Sequence, residues 1–289
     1  MDTITHTLFG LALYGSVDKR EFPKGKKRAL LFTTVVGSQI PDIDVISRLW
    51  DTEGQYQMWH RGITHSIFMV PIWALILTLL CYLFWRVKDR RIFLMGALAV
   101  FIHNTSDLFN AWGTGYLEPF SAVRITFGTI PIIDFVIWAL ILIGFITVKK
   151  TKWPSFQVYR FVWVAIVLHV VIQTSQGYII YQQASTTYEE LALSANFIPW
   201  NYNVIGKNGG TVEISERNLW SKPNIQVVLF SEEEADLDKL FAERPEAKTL
   251  YKWSPFVVVV DDDERLGIYD PRFYRNGQSF LFEYIEKES

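Results

Sequence analysis

Two stretches without a single Asp, Glu, Lys or Arg constrain this chain most: Gly62–Trp85, 24 residues, and Phe161–Tyr188, 28 residues. A helix needs about 20 apolar residues to cross a hydrocarbon core of ~30 Å, so each run is long enough to span. Ile92–Ser106 is broken by Asp107, and Phe135–Val148 follows Asp134. Both reach spanning length once one carboxylate is admitted at the membrane edge. Ile4–Val17 and Ala29–Ile40 are shorter and suit tilted or re-entrant helices. The runs predict helices near 3–17, 29–40, 63–85, 92–112, 131–148 and 161–181. A soluble bundle of six buried helices is the alternative, but aromatic residues crowd the run ends, as they do at a bilayer interface. No basic stretch precedes the first run, so a signal peptide is not expected. The fold class read here is an α-helical integral membrane domain of about five to six membrane helices (1–184), followed by a small β-rich soluble domain (185–289).

Charge follows the same division. Residues 1–181 are net +6 and residues 182–289 net −8, within a chain of formal charge −2. Fourteen basic residues fall in the connections 18–28, 86–91 and 149–160, against Arg48, Arg61 and Arg124 in the intervening ones. The positive-inside bias makes the basic side cytoplasmic. With six helices, both the N-terminus and the C-terminal domain are then expected outside a bacterial inner membrane, in a multi-pass arrangement. The basic clusters are short flanking loops without interleaved aromatics, which disfavours nucleic-acid binding. One Cys excludes an internal disulfide and any Cys-rich zinc site.

From about 185 the pattern turns to short β-rich runs, Thr211–Ile214, Ile225–Phe230, Phe256–Val260 and Gln278–Tyr284, with Glu232–Leu240 as a small acidic helix. Turn signals separate them: Lys207-Asn208-Gly209-Gly210, Ser221-Lys222-Pro223-Asn224 and Arg275-Asn276-Gly277. Asp261-Asp262-Asp263-Glu264 reads as a solvated turn, since no EF-hand spacing surrounds it.

The chemistry-bearing residues lie in the first half. His6, His60, His65 and His103 accompany Asp42, Asp44 and Asp107. His103 and Asp107 are four residues apart, hence on one helical face. Asp42 and Asp44 follow Pro41, which ends the preceding segment. With the helices placed as above, all seven gather toward the outer side of the bilayer. Ionisable groups in membrane helices are costly and usually pair or line a functional cavity. Imidazole with carboxylate suits a divalent metal ion, zinc first, with manganese or iron as alternatives. His169, mid-helix with no acidic sequence neighbour, reads as a packing residue.

Met1-Asp2-Thr3-Ile4-Thr5-His6 with Gly10, Pro41-Asp42-Ile43-Asp44, His60-Arg61-Gly62-Ile63-Thr64-His65-Ser66 and His103-Asn104-Thr105-Ser106-Asp107 before Trp112-Gly113-Thr114 resemble the YdjM-type family. Its members are bacterial inner-membrane proteins to which metal-dependent hydrolysis is ascribed. The likeness continues through Ile132-Ile133-Asp134 and, more faintly, Pro199-Trp200 and Tyr269-Asp270-Pro271-Arg272; Asn104 departs from it, where a small residue or Pro is commoner. The motif order is also similar to the zinc-dependent phospholipase C and nuclease group. That second resemblance implies a metal held by Asp42 or Asp44, His60 or His65, His103 and Asp107, with Asp107 bridging to a second metal near His6. Arg61 then either clamps a phosphate or snorkels at the interface. Asp134 is a further ligand or a partner of a ligating His.

Four readings compete. The first is a membrane metallohydrolase for a phosphoester of a lipid or lipid-linked substrate, with Asp44 and Arg61 in catalysis. The others are a metallohydrolase for an ester or amide, a metal-ion or proton transporter, and a non-catalytic scaffold. Transporter sites sit near the midplane of repeated halves; no such repeat occurs here, which favours the hydrolase.

Overall fold

The computed structural model describes residues 1–287. The first half is helical, and its helix starts follow local chemistry. Helix α1 (Thr3–Ser16) is capped by Asp2, whose carboxylate accepts from the amides of Ile4 and Thr5. Helix α2 (Lys24–Gly37) follows Pro23 and gives way, through a 53° bend, to a 3₁₀ segment, Ile40–Leu49. A short helix α3 (Tyr56–Trp59) and a 3₁₀ turn (Ile63–His65) precede α4 (Met69–Trp85). Asp89 caps α5 (Arg90–Asp107), and Asp134 caps α6 (Phe135–Lys150). Such side-chain acceptors satisfy amides that the first helical turn leaves unpaired. Helix α7 (Ser155–Ala184) is the longest, with 30 residues.

The expected five to six membrane helices are not found. Among the described residues, one helix, α7, is long and apolar enough to cross a membrane, or up to three spans if each of two bent pairs counts as one. The shortfall has local causes. The 24-residue run Gly62–Trp85 is divided at Ser66–Phe68, where the stretch Tyr56–His65 meets α4 at 72°, leaving 17 residues in α4. Helix α6 has 16 residues between its Asp134 cap and Thr151. Helix α5 reaches 18 residues by including Arg90, Arg91 and Asp107. Helices α1 and α2 have 14 each. The helix parity that put the C-terminal domain outside therefore loses its basis.

The chain divides into two compact units. The first comprises Met1–Asp44 and Arg61–Thr174, the second Val45–His60 and Ser175–Ser289. In the first, Gly10 lets α1 lie directly on α2: a Cβ there would stand 2.7 Å from the Thr34 carbonyl oxygen. One core groups Phe9, Ala12, Ile137, Ile141, Val162 and Ile166; a second packs Ala29, Leu30, Cys81 and Ile92.

The second unit carries the expected β-rich domain. Strands β1 (Glu190–Ala195), β2 (Tyr202–Asn208), β3 (Thr211–Arg217) and β4 (Asn224–Phe230) form an antiparallel meander. Gly209-Gly210 supplies the two-residue turn between β2 and β3. Helices α8 (Leu237–Glu243) and α9 (Pro245–Trp253) lead to β5 (Val258–Asp261) and β6 (Arg265–Tyr269). A hairpin of β7 (Tyr274–Arg275) and β8 (Gln278–Ser279) turns on Asn276 and Gly277, both at positive φ. Strand β9 (Phe282–Glu286) closes a three-stranded sheet, β5-β6-β9. Residues 45–60 join this unit through α3: the Gln55 side-chain amide donates to Thr249 Oγ1 of α9 at 3.2 Å.

Candidate metal centre

In the first unit, four side chains from three segments point their donor atoms at one another. Asp42 comes from the 3₁₀ segment, His65 from the short turn before α4, and His103 and Asp107 from the last turns of α5. One donor atom from each lies within 4.8 Å of all the others. His65 Nε2 stands 3.1 Å from His103 Nε2 and 3.2 Å from Asp42 Oδ1. His103 Nε2 is 3.6 Å from Asp42 Oδ1 and 3.9 Å from Asp107 Oδ2, and the His65 Nε2 to Asp107 Oδ2 distance is 3.6 Å. Zinc bonds of about 2.0–2.2 Å in a tetrahedron imply ligand-to-ligand edges of about 3.3–3.6 Å. The donor set thus has tetrahedral dimensions.

The opposite edges of both imidazoles fix their tautomers. His103 Nδ1 lies 2.8 Å from the Ser38 carbonyl oxygen, an acceptor, so Nδ1 carries the proton. His65 Nδ1 faces Asp44 Oδ2 at 3.3 Å and Thr64 Oγ1 at 3.0 Å, and Thr64 itself donates to Asp44 at 2.7 Å. Each Nε2 is then a lone-pair donor toward the cluster, the arrangement found behind metal-bound histidines. Asp107 Oδ2 is buried without a hydrogen-bond partner, while His65, His103 and Asp107 are all fully inaccessible. Lone pairs of two imidazoles and two carboxylates converging on one point repel; the Arg61 guanidinium beside Asp107 Oδ2 and the Met1 ammonium on Asp107 Oδ1 offset the Asp107 charge, and a cation among the four donors would offset the rest. The residues fit a divalent metal on this ground.

Of the other expected residues, His6 is buried on α1 and stacks on His103, ring centroids 3.7 Å apart. Both its nitrogens lack hydrogen-bond partners, and Nε2 lies 3.4 Å from Asp107 Oδ1. The Asp107 carboxylate therefore faces the four-donor cluster with Oδ2, while Oδ1 accepts from the Met1 ammonium and lies beside His6. Asp44 sits behind His65. His60 belongs to the second unit, where it ends α3 and stacks on Tyr56. Arg61 is 5% exposed, which replaces the snorkelling reading: its guanidinium reaches Asp107 Oδ2 (3.3 Å), Asn110 Oδ1 (2.9 Å) and the Met1 carbonyl (3.3 Å). Asp134 caps α6 and accepts from His169 Nε2 at 2.9 Å, so it supports a histidine of α7 rather than one of the cluster.

Sequence reasoning passed over Ser38, Thr64 and Asn110, polar residues whose importance depends on where a turn aims them. It also passed over the Glu118–Arg124 pair (3.3 Å). Arg124 donates to the Arg61 carbonyl at 2.8 Å, and burial raises the Glu118 carboxyl above the usual carboxylate range.

The profile of the YdjM inner membrane protein family matches residues 1–180, which include every residue of the cluster. The chain belongs to that family. Its YdjM region ends just before the strands of the second unit begin. A stretch of 139 residues is 37% identical to the "Uncharacterized protein YfhP" of Bacillus subtilis (strain 168), covering 46% of this chain and 42% of that protein. The chain thus spans less than half the length of this curated relative. No solved structure matches it.

Proposed function

We propose that this YdjM-family chain is a membrane-bound metal-dependent hydrolase acting on a phosphoester of a lipid or lipid-linked molecule. The carrying observation is the convergence of half-buried Asp42 with buried His65, His103 and Asp107, with each imidazole held from behind. Two imidazoles and two carboxylates favour zinc, with manganese and iron as alternatives. His6, whose ring nitrogens lack hydrogen-bond partners, offers a donor for a second ion beside the first, which would take the place at Asp107 Oδ1 that the Met1 ammonium holds. When bound, such ions polarise a phosphoryl oxygen and acidify water. The chain's own residues hold the geometry: Asp44 orients His65, and Arg61 fixes Asp107 while offsetting its charge. Exposed Ile43, Ile63, Phe68 and Phe120 neighbour the ligands in sequence or structure, and they favour a substrate with an apolar portion.

Elemental analysis of the purified full chain tests the first half of this reading. Roughly one to two divalent ions per chain are expected, with most lost in the His103→Ala, Asp107→Ala double variant. Full metal content in that variant overturns the site. A panel of phospholipids, an activated phosphodiester and acyl esters tests the second half. Chelator-sensitive phosphoester cleavage, restored by added metal, is expected. Cleavage confined to acyl esters would transfer the reading to carboxyl-ester hydrolysis.

A further inference from the structure

The β1–β2 and β3–β4 connections in the second unit carry a group of exposed apolar side chains. Strand pairing places Ala195, Tyr202 and Arg217 in one row at one end of the meander. From that row, residues 196–201 and 218–223 both loop outward. Asn218 Nδ2 donates to Asn201 Oδ1 at 2.9 Å, tying the two loops together. Trp200 and Trp220 meet edge to face, 6.0 Å between centroids. Trp220 is 69% exposed and Ile198 61%, with Phe197, Trp200 and Leu219 also exposed. Lys222 lies within the second loop, and Arg217 precedes it with its guanidinium on Ser215 Oγ and the Tyr188 hydroxyl.

The same unit records where this group lies along the helix that enters it. The last turns of α7 pack on the meander, with Ile180 and Ala184 sharing a core with Leu193, Ala195, Tyr202 and Val204. The Tyr202 hydroxyl hydrogen-bonds to the backbone of Gly177. After Ala184 the chain reverses, and the edge row carrying Tyr202 returns to the level of Gly177, about 10 Å back along the helix at 1.5 Å per residue. About 20 helical residues fill a ~30 Å hydrocarbon core. Counted from Phe161, where the charge-free run begins, they end at Ile180. Tyr178 is exposed at this level, and Trp and Tyr are the residues that favour the membrane–water boundary.

We infer that the loops 196–201 and 218–223 insert their apolar tips into the bilayer leaflet from which α7 emerges, with Phe197, Ile198, Trp200, Leu219 and Trp220 among the acyl chains. Lys222 then lies at the level of anionic headgroups, which attract basic side chains. The second unit is thereby held against the membrane at two points, the helix and the paired loops. This reading does not depend on the metal centre.

Site-directed spin labelling of the full chain in phosphatidylcholine–phosphatidylglycerol vesicles tests it. On a Cys81→Ser background, labels are placed at Ile198→Cys, Leu219→Cys and Trp220→Cys. Glu234→Cys serves as reference, because it follows β4 at the opposite end of the meander. Expected at the loop positions is collision with oxygen several-fold above that with a water-soluble nickel chelate, and the reverse at 234. Chelate accessibility at the loops equal to that at 234 would overturn the inference. So would labels shielded from both quenchers, which would mean a protein partner or a second copy covers the loops. The three loop positions are independent, so a variant that misfolds leaves two that still decide.

Discussion

Asp42 and Asp44 are two residues apart and chemically identical, yet the structure gives them different work, and Asp44→Asn exposes the difference. Asp42 Oδ1 faces both Nε2 atoms of the cluster, whereas Asp44 Oδ2 holds its surroundings. It accepts from the Arg61 amide at 2.9 Å and Thr64 Oγ1 at 2.7 Å, and it faces His65 Nδ1 at 3.3 Å. Asparagine keeps one acceptor oxygen but removes the charge, and charge-assisted hydrogen bonds are roughly twice as strong as neutral ones. The two shorter bonds compete for the remaining oxygen, so the long contact to His65 is the one given up. Groups that orient a metal-bound histidine contribute about 10–100-fold in metal affinity, equivalent to about 1.4–2.7 kcal/mol. Asp44→Asn should therefore raise the zinc Kd by that factor while binding stays stoichiometric at saturating metal. Asp42→Asn replaces an anionic donor with a neutral amide oxygen and should weaken binding well beyond the Asp44→Asn loss. Competition against a fluorescent zinc chelator, on full chain in detergent, reads both values, and circular dichroism confirms that each variant retains its helices. Equal losses from the two substitutions, or full affinity in Asp42→Asn, would refute the division of roles.

Other consequences can be checked in the same preparation. Asp134→Ala removes the α6 cap and leaves His169 buried without its acceptor, so thermal denaturation should show a loss of about 2–4 kcal/mol with metal content unchanged. Gly10→Val should destabilise by about 1–3 kcal/mol or more, since the new Cβ meets backbone, the Thr34 carbonyl oxygen at 2.7 Å and Val35 Cα at 2.8 Å. A native-like melting curve for that variant would show that α1 and α2 can separate at little cost.

The residues most legible in the sequence were those whose relation is local. His103 and Asp107 share a face by helical spacing alone, whereas the caps formed by Asp2, Asp89 and Asp134 were not read. The separate tasks of Asp42 and Asp44 were not legible, because they depend on a 3₁₀ segment that follows the bend after α2. His60 carries the same motif context as His65 but falls in the other unit, a division that no spacing announces. The partner of His169 lies 35 residues away, beyond any pattern along one helix. Apolar runs marked where helices occur but overstated how many could cross a membrane. A run says nothing of a bend at Ser66–Phe68 or of a cap that stops a helix at 16 residues. In the tail, the Gly-rich and Asn-Gly turns fixed two hairpins, while β1, β2 and β6 went unread because their apolar alternation is weak.

The assignment of residues 45–60 to the second unit has a consequence for the order of events on the ribosome. This segment joins Asp44 to Arg61, so it separates the Asp42 side of the cluster from the His65 side along the chain. Its anchor, Thr249, is 194 residues downstream of Gln55. At 5–20 residues per second, synthesis leaves an interval of about 10–40 s in which the segment exists without that anchor. Through that interval the two flanks of the cluster are tethered by a strap not yet fastened. A nascent chain arrested before α9 should for this reason capture metal more weakly than one released complete.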